Sequence, residues 1–342
     1  MVLDGVFNHV GRNFPAFRLA IAQGPQSPEA SWFRIDFDRR SPDGEPEYQT
    51  FEGHQSLPAL NHDEPAVADL VVAVMKHWLG RGADGWRLDA AYAVPHPFWA
   101  NVLPRVRADY PDAYIVGEVI HGDYAGFVRE TTVDSVTQYE LWKATWSAIK
   151  QRNFFELSWT LERHNALLDH FVPLTFVGNH DVTRIASQID DERHLPHTLV
   201  ILFTCAGTPC IYYGDEQAFR GIKEDRAGGD DAVRPAFPTS PTDLAPYGWP
   251  TYRLHQQLIG VRRRHPWLHR ARSHVLSLSN TQFIYECFDG DQRITVGLNL
   301  DDKPLILRDA GTLAVLAGSE GVGPEQGQMQ IPGHGWAVLG RA

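Results

Sequence analysis

Four short stretches of this chain close apolar runs with carboxylates, three of them together with histidine, arginine or asparagine. Asp4, Asn8 and His9 close the first, in Met1-Val2-Leu3-Asp4-Gly5-Val6-Phe7-Asn8-His9. Arg87 and Asp89 close the second, Glu118 the third after Ala113-Tyr114-Ile115-Val116, and Asn179, His180 and Asp181 the fourth after Phe176-Val177. Such a set suits cleavage of an acetal. One carboxylate attacks the sugar carbon and another hands a proton to the leaving oxygen, with the two about 5–5.5 Å apart when configuration is retained. Side chains alternate along a strand, so Arg87 shares a face with Asp89 and would hold it as a charged nucleophile. Taken singly, each residue has a plainer reading. Asp4 reads as a strand-end turn residue, Asn8-His9 as a cap or solvated loop, Glu118 as an exposed loop acid, and Asp181 as a helix cap. Four strand ends carrying the same chemistry outweigh those separate readings.

The elements that must position these residues alternate between strand and helix. Strands are expected at Val2–Phe7, Asp84–Leu88, Ala113–Val116, Asp134–Thr137, Pro173–Val177 and Pro209–Tyr213. Most are almost continuously apolar, as parallel strands covered on both faces are. Helical spacing recurs through Val67, Leu70, Val71, Val74, Met75 and Trp78, with Asp63 as the expected cap and Gly80 and Gly82 as the stop. Further helices are expected around Phe98–Val106, Leu157–Leu168, Leu195–Phe203 and Leu254–Val261. Strand–helix alternation is the mark of a parallel α/β fold. Asp89 and Glu118 are about thirty residues apart, one βα unit of a (β/α)8 TIM-type barrel, and Asp181 follows about two units later. In such a barrel all strand C-termini open onto one face, where the acids would meet. Residues 10–62 lack periodicity and read as a long irregular excursion; loops of that length are usually functional. Near residue 270 the pattern changes to short strands with Asp-Gly turns. Two domains are therefore expected, 1–268 and a small antiparallel β-sandwich at 269–342.

Composition excludes other classes. The chain has 342 residues, is 43% apolar and carries a net charge of −11. That rules out disordered and collagenous chains, and gives no electrostatic case for gripping nucleic acid. No apolar run reaches the roughly 18 residues of a spanning helix, so no membrane partner is expected. Cys205, Cys210 and Cys287 are too few for a disulfide framework and fit a reducing, cytoplasmic setting.

Taken in order, these motifs resemble the α-amylase family, glycoside hydrolase family 13. Asp4–His9 resembles the family's third-strand motif, Gly85–Ala91 the fourth, Gly117–Val119 the fifth and Phe176–Asp181 the seventh. Leu57–Asn61 is similar to a weaker motif in the excursion, and Gly207–Glu216 to the eighth strand and its loop. The resemblance covers about residues 1–265. It implies Asp89 as nucleophile, Glu118 as general acid and then base, and Asp181 as the third acid, binding sugar hydroxyls and helping to distort the ring. It implies Arg87 orienting Asp89, His9 and His180 on the sugar, Asp4 and Asn179 supporting them, and Asn8 at a position that ligates a structural calcium in many members. No cofactor is implied for the chemistry. The substrate implied is an α-glucan or maltooligosaccharide.

The family's frequent Lys-His pair after the nucleophile is replaced here by Tyr92-Ala93. That favours short or cyclic dextrins, as in neopullulanase- and cyclomaltodextrinase-like members, which Trp32-Phe33 and Leu57–Asn61 also resemble. If Val2–Phe7 matches the third strand, the first two βα units are missing. A barrel incomplete at six strands, unstable or inactive alone, is then expected. The alternatives are a transglycosylase on the same machinery, a metal-dependent hydrolase, and a remnant that only binds sugar.

Overall fold

A computed structural model describes residues 1–342 apart from 43, 241–242, 244–245, 309–312 and 342. By internal contacts the chain forms two compact units, Met1–Thr137 and Gln138–Ala342.

In the first unit β1 (Val2–Val6) leads into the excursion. There α1 (Pro15–Gln23) and an antiparallel pair, β2 (Ile35–Arg40) and β3 (Pro46–Tyr48), give structure to a stretch expected to be irregular. Then follow α2 (Pro65–Leu79), β4 (Gly85–Asp89), α3 (His96–Arg107), β5 (Tyr114–Gly117), α4 (Tyr124–Thr131) and β6 (Ser135–Val136). Strands β1, β4, β5 and β6 form one sheet in that order, and every adjacent pair is parallel. Their C-terminal ends therefore share one edge. The expected Asp63 cap of α2 is corrected: Glu64 caps it, accepting from the Ala66 N–H at 3.3 Å, while Asp63 pairs with Arg34. Proline at the first position of α2 needs no N–H partner there, and Gly80 ends the helix as expected. The apolar face of α2 (Val67, Val71, Met75) is fully buried, as are Trp99, Val102 and Leu103 of α3 and Leu88 and Ile115 of the strands. Each such side chain contributes about 1.5–3 kcal/mol on burial.

The second unit holds α5 (Tyr139–Lys150), α6 (Phe154–Leu167), β7 (Leu174–Phe176), α7 (Ile185–Gln188), α8 (Leu195–Thr204), β8 (Thr208–Cys210) and α9 (Trp249–Arg264). β7 and β8 pair in parallel. β8 ends three residues earlier than expected. Tyr212 and Tyr213 leave the ladder to give their hydroxyls to the carbonyls of Val233 and Pro235.

The C-terminal strands are β9 (Arg272–Leu278), β10 (Gln282–Asp289), β11 (Gln292–Asn299), β12 (Leu305–Leu307), β13 (Ala314–Gly318), β14 (Gly323–Glu325), β15 (Gln328–Ile331) and β16 (Trp336–Gly340). They make an antiparallel sheet β13-β16-β11-β10-β9 and a smaller one β12-β15-β14. Alternation divides the larger sheet's side chains between two cores. Phe283, Tyr285, Val296 and Val338 pack with Leu157, Leu199, Phe203 and Leu258 of the helices. Ile284, Ala337 and Leu339 pack on Leu305, Leu307, Met329 and Ile331 of the smaller sheet.

Candidate active site

The site is assembled from strand register. Asp4 on β1 stands opposite Arg87 on β4, and Leu88 opposite Gly117 on β5, so the residues just beyond those strands emerge at one edge. Arg87 and Asp89 share a face, with buried Trp86 and Leu88 turned the other way. The Arg87 guanidinium then reaches three carboxylates. Nη1 donates to Asp89 Oδ1 at 2.5 Å and to Asp4 Oδ1 at 2.8 Å, and Nη2 pairs with Glu118 Oε1 at 2.8 Å. Arg87 was expected to orient Asp89; here it also pairs with Glu118. Burial works to lower its pKa, but Glu118, Asp4 and Asp89 together outweigh that and raise it.

The backbone beyond Asp89 turns at once. Ala90 takes φ 44, a left-handed conformation that an alanine rarely adopts, and its N–H donates to Glu118 Oε2 at 3.0 Å. Strain of this kind costs on the order of 1–3 kcal/mol and collects at functional sites. Both Glu118 oxygens thus have fixed partners. At Gly117 a Cβ would stand 3.2 Å from the Phe127 ring and 3.3 Å from Ala91 Cβ, so glycine keeps the approach to Glu118 uncrowded.

His9 stacks on Phe51 at 4.6 Å between ring centroids. Burial lowers its pKa, against the pull of the Asp89 and Glu52 charges. Asn8 Nδ2 lies 3.4 Å from His9 Nδ1. Tyr92 donates to Glu52 Oε1 at 2.9 Å; burial first, then Glu52, Glu118 and Asp89, push its hydroxyl pKa well up. Glu52 and Phe51 carried no motif signal, and the excursion brings them here. A cleft of about 460 Å³ lined by Asn8, Thr50, Phe51, Glu52, Tyr92 and Pro95, among others, lies beside these groups. That is within the ordinary range for a small ligand.

Asn179, His180 and Asp181 belong to the second unit. Asn179 Nδ2 donates to the Tyr139 hydroxyl at 2.8 Å, and its Oδ1 accepts from the Asp181 N–H at 2.9 Å. Asp181 pairs with His180 Nε2 at 3.1 Å and Arg234 Nη2 at 2.7 Å. Arg234, from a long loop without periodicity, could not have been found by pattern. A few residues beyond Asp181, the buried Arg184 pairs with Asp215 at 3.0 Å and lies 4.1 Å over the Tyr212 ring.

As to metal, Asn8 offers one amide oxygen. Among the described residues the one group of three His, Cys, Asp or Glu donors able to hold an ion is Asp191, His194 and His334.

Residues 1–274 match the family described as alpha amylase, catalytic domain. The chain belongs to the alpha-amylase family, and its strand–helix alternation is that of the family's TIM-barrel-type catalytic domain followed by a β-rich C-terminal part. It is 31% identical over 319 residues to a cyclomaltodextrinase of a Bacillus species, covering 90% of this chain and 55% of that protein. It is 34% identical over 233 residues to a maltogenic alpha-amylase of Bacillus acidopullulyticus, covering 65% of this chain and 39% of that one. The debranching enzyme of Nostoc punctiforme superposes with a TM-score of 0.83 at 26% identity, over 99% of this chain and 75% of that one. The chain thus spans about half the length of the curated relatives it matches. No helix among the described residues is long and apolar enough to cross a membrane.

Proposed function

We propose that this chain carries the reacting groups of a retaining glycosidase that cleaves α-glucosidic bonds of maltooligosaccharides or small cyclic dextrins. Asp89 attacks the anomeric carbon while Glu118 gives a proton to the glycosidic oxygen, and the leaving sugar departs. Glu118 then takes a proton from water, which displaces Asp89 and restores both groups. His9 and Asp4 support the bound sugar on this reading, and Asn179, His180 and Asp181 bind its hydroxyls, with Arg234 steadying Asp181. The observation that carries the proposal is the Arg87 guanidinium bonded on one nitrogen to Asp89 and on the other to Glu118.

No cofactor takes part in this scheme, and Asn8 would contribute one amide oxygen to a structural calcium. The six parallel strands are read as six of a TIM-type barrel's eight, residues 1–268 as the catalytic region, and the two C-terminal sheets as a sandwich domain at 269–342. A cytoplasmic setting is supported by the three free cysteines.

A fluorinated α-glucosyl fluoride that stalls the second step tests the assignment. Peptide mass spectrometry should find the sugar on the Asp89 peptide. A label on another carboxylate, or turnover of maltotriose with no adduct, would overturn it. Maltotriose binding with neither turnover nor adduct would identify a chain that only binds sugar. Product analysis at high maltose separates hydrolysis from transfer.

A further inference from the structure

The second unit holds a donor cluster that the glycosidase scheme does not use. Asp191 and His194 bracket the helical turn that leads into α8, and His334 lies in the turn between β15 and β16. One ligand-capable atom from each of Asp191, His194 and His334 lies within 4.8 Å of the other two. We propose that these three side chains bind one divalent transition-metal ion of the zinc type, which clips the start of α8 to the C-terminal sheet.

The geometry supports this at several points. His194 Nε2 and His334 Nδ1 are 2.9 Å apart. Zinc holds an imidazole nitrogen at about 2.0–2.1 Å in tetrahedral geometry, so two such nitrogens on one ion stand roughly 3.3–3.4 Å apart. A shift of a few tenths of an ångström therefore opens the contact to an ion, which replaces the proton the two rings share. His334 Nε2 lies 2.7 Å from Asp302 Oδ1. Giving its Nε2–H to that carboxylate leaves Nδ1 as the lone pair, and an outer carboxylate of this kind orients most metal-bound histidines.

The backbone keeps the ring in place. His334 takes φ 59 between Gly333 and Gly335, and a Cβ on Gly333 would fall 2.3 Å from the Asp302 carbonyl oxygen. The turn is thus held tightly against Asp302. His194 is buried, which favours the neutral ring a metal requires. Two imidazoles and one carboxylate select zinc, cobalt or nickel over calcium or magnesium. Asp191 is held by exposed Arg193, Nη2 to Oδ2 at 2.7 Å and Nε to Oδ1 at 3.0 Å. An entering ion takes that oxygen over, and the guanidinium is free to turn to solvent.

The full chain, stripped with EDTA and dialysed, is titrated with zinc sulfate by calorimetry and by equilibrium dialysis with metal analysis. Its Tm is read with and without zinc. One equivalent should bind at a Kd of about micromolar or tighter and raise Tm, and calcium at the same concentration should do neither. His334→Asn keeps a residue that tolerates positive φ. It should weaken zinc binding about tenfold or more and abolish the zinc-dependent Tm gain, while Arg193→Ala should tighten binding. If His334→Asn fails to fold, Asp191→Asn, an isosteric change, carries the same expectation. No equivalent bound at about 100 µM zinc, or wild-type affinity in the foldable variant, overturns the proposal.

Discussion

Arg87 and Arg184 both meet carboxylates, and the contrast between them separates reactive from structural charge. Arg87 is one cation among Asp4, Asp89 and Glu118, and its side chain is 17% exposed, with Asp4 at 54% and Asp89 at 21%. Arg184 meets one carboxylate, Asp215, and the Tyr213 carbonyl; the ion pair is at 0% and 1% exposure, with the Tyr212 ring across the guanidinium. The first cluster sets three carboxyl groups around one cation at an accessible edge, which suits acid and nucleophile chemistry through an oxocarbenium-like transition state. The second is neutral overall and sealed. Burial pushes Asp215 up to about 7 even against Arg184, and among the described residues Arg184 Nε, Arg184 Nη2 and Asp215 Oδ2 have no hydrogen-bond partner. Removal from water works against the attraction between the two charges in such a pair.

Five substitutions press on this contrast. Asp89→Asn should cut kcat on maltotriose by about a thousandfold or more while leaving Tm within a few degrees; a rate near wild type would remove Asp89 from the chemistry. Arg184→Met should do the reverse, costing about 3–5 kcal/mol in urea unfolding because Asp215 is left buried and unpaired. The double change Arg184→Met/Asp215→Leu should regain most of that. If the single variant unfolds at the wild-type urea midpoint, the pair holds nothing together.

His164 extends the comparison to pH. Burial lowers its pKa to about 4 although the Ala206 carbonyl pulls the other way, whereas the unfolded chain titrates near 6.5. The unfolded state then binds more protons between these values. The stability of the neutral ring is complete above about pH 6.5 and is lost as pH falls toward 4. His164→Gln should flatten Tm against pH across that window, and an unchanged slope would assign the acid sensitivity elsewhere. The smallest effect belongs to Tyr92→Phe. Losing the exposed bond to Glu52 should raise KM about two- to fivefold with kcat little changed; a large fall in kcat instead would place the hydroxyl at the reacting bond.

Part of the site was legible because strand chemistry is local. Arg87 and Asp89 are two residues apart, so period-two alternation alone puts them on one face, and apolar runs marked β1, β4 and β5 to within a residue or two. Helices α2, α6, α8 and α9 carried apolar spacing, whereas α1, α4 and α5 mix polar and apolar residues and escaped notice. Strands β13–β15 escaped too: β14 and β15 are short and carry glycine, proline or glutamine, and β13 is an apolar run of five. Glu52 and Arg234 act through partners dozens of residues away, and no periodicity encodes such a pairing.

The sequence by itself determined which side chains could cut an acetal and the order in which strands present them, since both are written in residue type and short-range spacing. Only the tertiary structure decided that one guanidinium would hold Asp4, Asp89 and Glu118 together, and that Glu52 would reach Tyr92. It also decided that two histidines 140 residues apart would share a proton. Parallel register and chain reversal set those distances, and neither can be read from neighbours along the chain.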